Sequence, residues 1–159
     1  MFTIPWYAVL FISIPETVLI IQLGFLLFNL RIEWRDTVLT SVCMGVVSYI
    51  LLRLPIIPGA HTLMLIFITT LIINWLSKVK VWYCLIAVLC GAMIVGVMEN
   101  VIVPLSLILM SKTVSDLSTY PWLNIGVSLP TTLLAALLFF LVRRFRLVLY
   151  DLNMKGSTK

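Results

Sequence analysis

The chain has 159 residues, of which 62% are hydrophobic and 11% charged, with a mean hydropathy of +1.18 and a formal net charge of +5. A soluble domain carries roughly 25% charged residues and needs polar surface to meet water, so this composition excludes an ordinary water-soluble globule and makes the lipid bilayer part of the solvent. Roughly 20 residues of helix cross about 30 Å of hydrocarbon, which leaves length for about five spans joined by short loops and no soluble domain beside them. The positive residues flank apolar runs, where membrane orientation signals belong, and do not point to nucleic acid.

Residues Trp6 to Leu30 read as the first span, interrupted by Pro15-Glu16. No basic segment precedes it, so it reads as a retained span and not as a secretory signal. The polar stretch Arg31 to Asp36 follows, and Thr37 opens a second span that ends near Pro55-Ile56. Pro58-Gly59-Ala60-His61 has the composition of a tight turn, because proline presets φ and glycine stops helices. The third span, Thr62 to Leu76, is short and needs length from its flanks or a thinner bilayer. After the turn Ser77 to Lys80, the fourth span runs from Val81 to Met110 with Glu99 and Pro104 inside it. That exceeds one straight crossing, so tilt or a proline kink is expected. Ser111 to Pro121 is a polar loop, and the last span covers Trp122 to Val142 with Pro130 inside it. The transmembrane domain is thus residues 1–142, and residues 143–159 form a short basic tail opening with Arg143, Arg144 and Arg146.

With five spans, Arg31, Arg35, Lys78, Lys80, Arg143, Arg144, Arg146, Lys155 and Lys159 fall on one side, and Arg53 and Lys112 on the other. The positive-inside rule then predicts an external N-terminus and a cytoplasmic C-terminus. A sixth span would put the basic tail outside. Trp6, Tyr7, Trp75, Trp82, Tyr120 and Trp122 stand near span ends, as an aromatic belt does.

Three ionisable residues lie within apolar spans: Glu16, Arg53 and Glu99. A charge at the bilayer centre costs about 2.5–3.5 kcal/mol on insertion scales, so such residues are candidate functional sites. At 1.5 Å per residue, Glu16 lies about 15 Å below the outer boundary, Arg53 about 24 Å above the inner one and Glu99 about 27 Å above it. All three belong to the middle or outer half, with His61 at its mouth and Asn100 beside Glu99. The simplest arrangement sets Arg53 between the two glutamates, bonding both. A proton or a bound cation then matches the charge left over. Three readings are open: interhelical glue, a ligand or ion site opening outward, and a proton pathway.

Cys43, Cys84 and Cys90 lie in apolar runs without a CxxC spacing, so they read as buried packing residues. Ser41 with Gly45, Ala87 with Gly91 and Ala92 with Gly96 are small pairs at helical spacing. Such pairs let helices approach closely, within one bundle or across a dimer seam. There is no Ser/His/Asp set at plausible spacing, no phosphate loop and no HExxH. His61 and Cys84 belong to opposite faces of the membrane, which speaks against a cysteine protease.

Ser13-Ile14-Pro15-Glu16, Leu52-Arg53-Leu54-Pro55 and Gly59-Ala60-His61-Thr62 resemble small multi-span proteins of Firmicutes. They are also similar to the membrane sensor regions of receptor histidine kinases of the agr type. That resemblance implies binding of an extracellular signal coupled to a cytoplasmic kinase. The sequence departs from the pattern in ending at Lys159 with no kinase domain, so a sensor of this kind signals through another protein.

The reading is an all-α polytopic membrane protein of five transmembrane helices, not an enzyme and without a cofactor or metal, in a bacterial cytoplasmic membrane. Its first expected function is a ligand-binding sensor or accessory subunit, with Glu16, Arg53, Glu99, Asn100 and His61 lining an outward-facing polar pocket. The alternative is a small transporter or channel subunit using the same residues. Expected partners are the bilayer, an extracellular peptide or small molecule, a cytoplasmic or membrane protein, and further copies of the chain.

Overall fold

The structure is a computed structural model that describes residues 6–51, 53, 58–112, 121–146 and 148–149. It is all-α among the described residues, with five helices: α1 (Trp6–Leu27), α2 (Trp34–Leu51), α3 (Pro58–Ser77), α4 (Val81–Leu109) and α5 (Pro121–Phe145). Four of them, α1, α3, α4 and α5, are long and apolar enough to cross a membrane. These make the protein a multi-pass membrane protein. Lys155 and Lys159 of the predicted tail, and most of the loop from Ser111 to Pro121, lie outside the described residues.

Helix α1 ends at Leu27 and not at Leu30, α5 runs past Val142 to Phe145, and two helix starts also differ from the sequence reading. Pro58 to His61 begin α3 instead of forming a turn before it. Proline is accommodated in the first turn of a helix, where its missing N–H has no intrahelical partner to lose. The third span thereby draws its extra length from its N-terminal flank. Helix α2 starts at Trp34 and not at Thr37, with Asp36 in its first turn, where the helix dipole favours a negative charge.

Helix ends are closed by residues in the left-handed region. Asn29 (φ 53°) follows α1, with its N–H on the Leu26 carbonyl (3.2 Å) and the Leu30 N–H on that of Phe25 (2.9 Å). Ser111 (φ 51°) repeats the arrangement after α4, through Ile108 (3.0 Å) and Leu107 (2.9 Å). These are the paired bonds that satisfy orphan carbonyls at a helix C-terminus. The short α3–α4 link is tied by the Asn74 side-chain amide, which donates to the Val79 carbonyl (2.6 Å).

Helix α1 is central, packing on α2, α4 and α5, while α3 packs on α2 and α4. Its crossing with α4 is close: a methyl group at Gly24 would run into the Ala87 carbonyl, and one at Gly91 into the Ile20 carbonyl. Small residues here let two backbones touch, so the Ala87/Gly91 pair serves packing within the bundle. A methyl group at Gly45 on α2 would come within 2.9 Å of the Leu10 side chain and 3.1 Å of the Ile14 side chain of α1.

These contacts fix which helix ends lie together. The Leu149 N–H donates to the Leu27 carbonyl (2.7 Å), joining the segment after α5 to the end of α1. At the opposite end the Tyr7 and Trp122 rings lie 6.0 Å apart. The described basic residues Arg31, Arg35, Lys78, Lys80, Arg143, Arg144 and Arg146 therefore gather at one end of the bundle.

The hydrophobic core occupies that basic half, where Ile21, Leu23, Phe25, Ile73, Cys84 and Val88 are all essentially inaccessible. Of the three cysteines only Cys84 is fully buried; Cys90 is intermediate, and Cys43 is exposed on α2. The outer faces of the helices are apolar, with Phe67, Met93, Val97, Leu133 and Leu137 all exposed. In water this would be costly; in lipid it is the favourable solution.

Candidate functional site

The site is built on the opposite half of the bundle. Four helices, α1 to α4, surround a cavity of about 290 Å³. Along α1, Ser13, Glu16, Thr17 and Ile20 face it, the i, i+3, i+4, i+7 spacing of one helical face. Along α4 the matching face is Val88, Ala92, Gly96 and Glu99. Gly96 opens the cavity instead of closing a helix contact, since a methyl group built on it meets nothing within 4 Å. The Ala92/Gly96 pair thus makes room, where Ala87/Gly91 makes contact.

The structure brings together three of the five expected site residues. Glu16, Glu99 and His61 line this cavity. The two carboxylates lie within electrostatic reach of each other, and no described cation neutralises either. His61 sits in the first turn of α3, with its Nε2 buried and without a hydrogen-bond partner among the described residues. Among the described residues no group of three or more His, Cys, Asp or Glu is placed to hold a metal ion.

Arg53 and Asn100 are not among the residues that line the cavity. Arg53 is exposed just past the end of α2 and donates to the Tyr49 hydroxyl one turn back. Its guanidinium lies over the Tyr49 ring, 4.6 Å from the centroid, a cation–π geometry. The expected Arg53 bridge between Glu16 and Glu99 is therefore not formed. A long basic side chain near a helix end reaches for the polar boundary more cheaply than for the interior. Asn100 is exposed and returns its amide to the Gly96 carbonyl (2.7 Å), one turn back on its own helix.

The cavity lining also holds hydroxyls, which intramembrane charge does not mark. Ser13, Thr17, Ser48, Thr62 and Thr69 line the cavity beside the acids. Ser13 donates to Ser48 across α1 and α2 (3.4 Å), and Thr17 and Thr69 donate to the carbonyls of Ser13 and Leu65 (both 2.7 Å). A hydroxyl that bonds its own helix backbone is stable in an apolar setting and keeps oxygen lone pairs for a ligand. The signal was present in the sequence, because Ser13 and Thr17 share the helical face of Glu16.

A polar seam continues from the cavity between α1 and α2. The buried face of α2 is Thr37, Thr40, Ser41, Met44, Gly45, Ser48 and Leu51, a continuous helical stripe. Its exposed face carries Val38, Leu39, Val42, Val46 and Ile50. Gln22 of α1 donates to Thr37 (2.9 Å), and Thr40 and Ser41 bond back to the carbonyls of Asp36 and Thr37 (2.7 and 2.8 Å).

Chemically the cavity combines two acids, a histidine and several hydroxyls with the apolar side chains of Met44, Leu65 and Val88. It offers two carboxyl groups and further hydrogen-bond acceptors to a partly apolar guest. Comparison with protein-family models, with curated proteins and with solved structures returned no match.

Proposed function

We propose that the protein is a non-enzymatic, five-span membrane protein that binds a small cationic ligand in this intramembrane cavity. It acts as a ligand-binding sensor or accessory subunit in signal transduction, in a bacterial cytoplasmic membrane. The observation that carries the reading is the pair Glu16 and Glu99, lining one cavity with no described cation to neutralise them. Two like charges in a low-dielectric setting repel and cost solvation energy, and an ammonium or guanidinium group between them relieves both. The volume of about 290 Å³ is at the small end of ligand pockets, roughly 300–1,000 Å³. It suits a small molecule or one side chain of a peptide better than a whole peptide.

The proposed topology has five spans, with the N-terminus outside and the C-terminus in the cytoplasm. The inside-out pattern of α2, hydroxyls inward and aliphatics outward, supports counting it as the fifth. The gathering of seven described basic residues at one end supports the orientation. The cavity then belongs to the outer half, and the segment after α5 reaches the cytoplasm for a partner protein. A cysteine introduced at Ser115 is expected to react with an impermeant reagent from outside; labelling from the cytoplasm would reverse the topology.

Ligand binding is tested by thermal unfolding of the purified protein in detergent. Ethyl-, propyl- and butylammonium are compared with the alcohols of the same length. The ammonium ions are expected to raise the melting temperature saturably, and Glu16→Gln or Glu99→Gln to abolish the rise. Equal responses to ammonium ions and alcohols would refute the reading.

A second reading, a transporter or channel subunit, is favoured by one observation. Glu16 and Glu99 also line a narrow crevice against α5, so they border two separate spaces. Flux of a cation across liposomes containing the purified protein alone would support that reading over a sensor.

A further inference from the structure

The crevice on the α5 side of the carboxylates has a composition of its own. It measures about 10 Å³ and lies between α1, α4 and α5. Besides Glu16 and Glu99 its polar lining is Ser128, Thr131 and Thr132. Ser128 donates its hydroxyl proton to the Ile125 carbonyl (2.9 Å), and Thr132 donates to that of Ser128 (3.0 Å). Hydroxyls engaged in this way turn oxygen lone pairs toward other partners. Thr131 differs: it is 3% exposed, and its Oγ1 is buried with no hydrogen-bond partner among the described residues. Buried polar atoms are almost always paired, so a nearly inaccessible hydroxyl without a partner beside two acids points to a missing ligand.

We infer that Glu16, Glu99 and Thr131 hold one dehydrated monovalent cation, Na⁺ or an ion of its size, in the crevice between α1, α4 and α5. The polar side-chain lining is oxygen throughout, which suits hard cations and not soft ones. A space at the lower limit for one water-sized sphere leaves no room for a hydration shell. That disfavours Mg²⁺, which dehydrates reluctantly and keeps several waters. A water molecule in the same place would satisfy Thr131 but leave the two carboxylates without a counter-charge. The inference stands apart from the cavity ligand, although both use the same acids, and Thr131 separates them because it borders the crevice and not the larger cavity.

The test is thermal unfolding of the full chain in detergent, in chloride salts of Na⁺, Li⁺, K⁺, Mg²⁺ and N-methylglucamine at equal ionic strength. Na⁺ is expected to raise the melting temperature saturably over N-methylglucamine, by roughly 5 °C or more at 100 times its Kd. Thr131→Val, which keeps the side-chain shape, is expected to abolish that rise while melting normally in N-methylglucamine. Binding of radioactive Na⁺ to the wild-type protein, about one ion per chain and displaced by unlabelled Na⁺, gives a readout that needs no variant. Identical melting in Na⁺ and N-methylglucamine, a full Na⁺ response in Thr131→Val, or no saturable Na⁺ binding would each overturn the assignment.

Discussion

The two halves of this bundle solve the same packing problem in opposite ways. In the basic half, α1 and α4 press backbone against backbone at Gly24, Ala87 and Gly91, and the surrounding side chains are fully buried. In the other half the same two helices carry Glu16 and Glu99, and with α2 and α3 they surround a cavity. Both halves use small residues of α4, and Gly91 and Gly96 are little more than a turn apart but lie on different faces. One permits contact and the other permits space. A small residue in a membrane helix therefore acquires its meaning from what faces it, and the tight half forms the rigid base from which the wide half opens.

The strongest way to break this contrast is to fill the tight crossing. Gly24→Val or Gly91→Val places a side chain against the backbone of the facing helix. We expect a loss of at least about 3 kcal/mol, beyond ordinary overpacking because backbone cannot repack like a side chain. Thermal unfolding and gel filtration in detergent would show it, and near-wild-type melting would contradict the close crossing.

A smaller effect of opposite sign is expected in the wide half. Glu99→Gln or Glu16→Gln removes one of two repelling charges while keeping the side-chain shape. Without added ligand or Na⁺, the melting curve should show a gain of about 1 kcal/mol or more, since exchanging buried charges for neutral groups is often stabilising. Destabilisation of either variant under those conditions would mean that the acids are interhelical glue. A gain in stability coupled to a loss of binding is the trade-off expected of a functional site.

Truncation after Arg146 touches only the edge of the basic half. It removes the Leu149 bond to the Leu27 carbonyl, worth about 1 kcal/mol, and keeps Arg143, Arg144 and Arg146 as orienting charges. The shortened protein should insert and fold nearly normally yet lose any cytoplasmic partner recovered by co-purification. Failure to insert would place the last residues in the core of the bundle. The smallest effect is expected of Gly96→Ala, whose methyl group enters open space. Reduced backbone entropy in the unfolded chain should add about 0.5–1 kcal/mol, and a clear loss of stability would mean that the cavity wall is closed there.

The candidate site was legible in part. Glu16 and Glu99 announced themselves because a carboxylate inside an apolar run is rare and costly, and His61 because it neighbours them at the mouth of the third helix. Arg53 was legible as an intramembrane charge but not as a partner of Tyr49, a contact set by the end of α2 and the reach of the side chain. Reading Pro58-Gly59-Ala60-His61 as a turn weighted residue type over position, when proline opens a helix as readily as it ends one. The hydroxyl lining went unread because single serines and threonines raise no alarm in a hydropathy sum, although Ser13 and Thr17 share a face with Glu16.

Hydropathy, charge and helix punctuation act along the chain, within windows of about 20 residues. For that reason the sequence by itself determined the membrane setting, the helical class, the approximate course of each helix and the asymmetry of its basic residues. Which polar residues meet depends on how each helix is rotated about its own axis and how deeply it crosses its neighbours, and those are set by contacts distant in sequence. The Gly24–Ala87 and Gly91–Ile20 contacts lock α1 against α4. That lock turns Glu16 and Glu99 toward one cavity, while Arg53 and Asn100 stand exposed outside its lining. No local pattern carries that information, because interhelical approach is decided by the shapes of two surfaces and each segment encodes only its own.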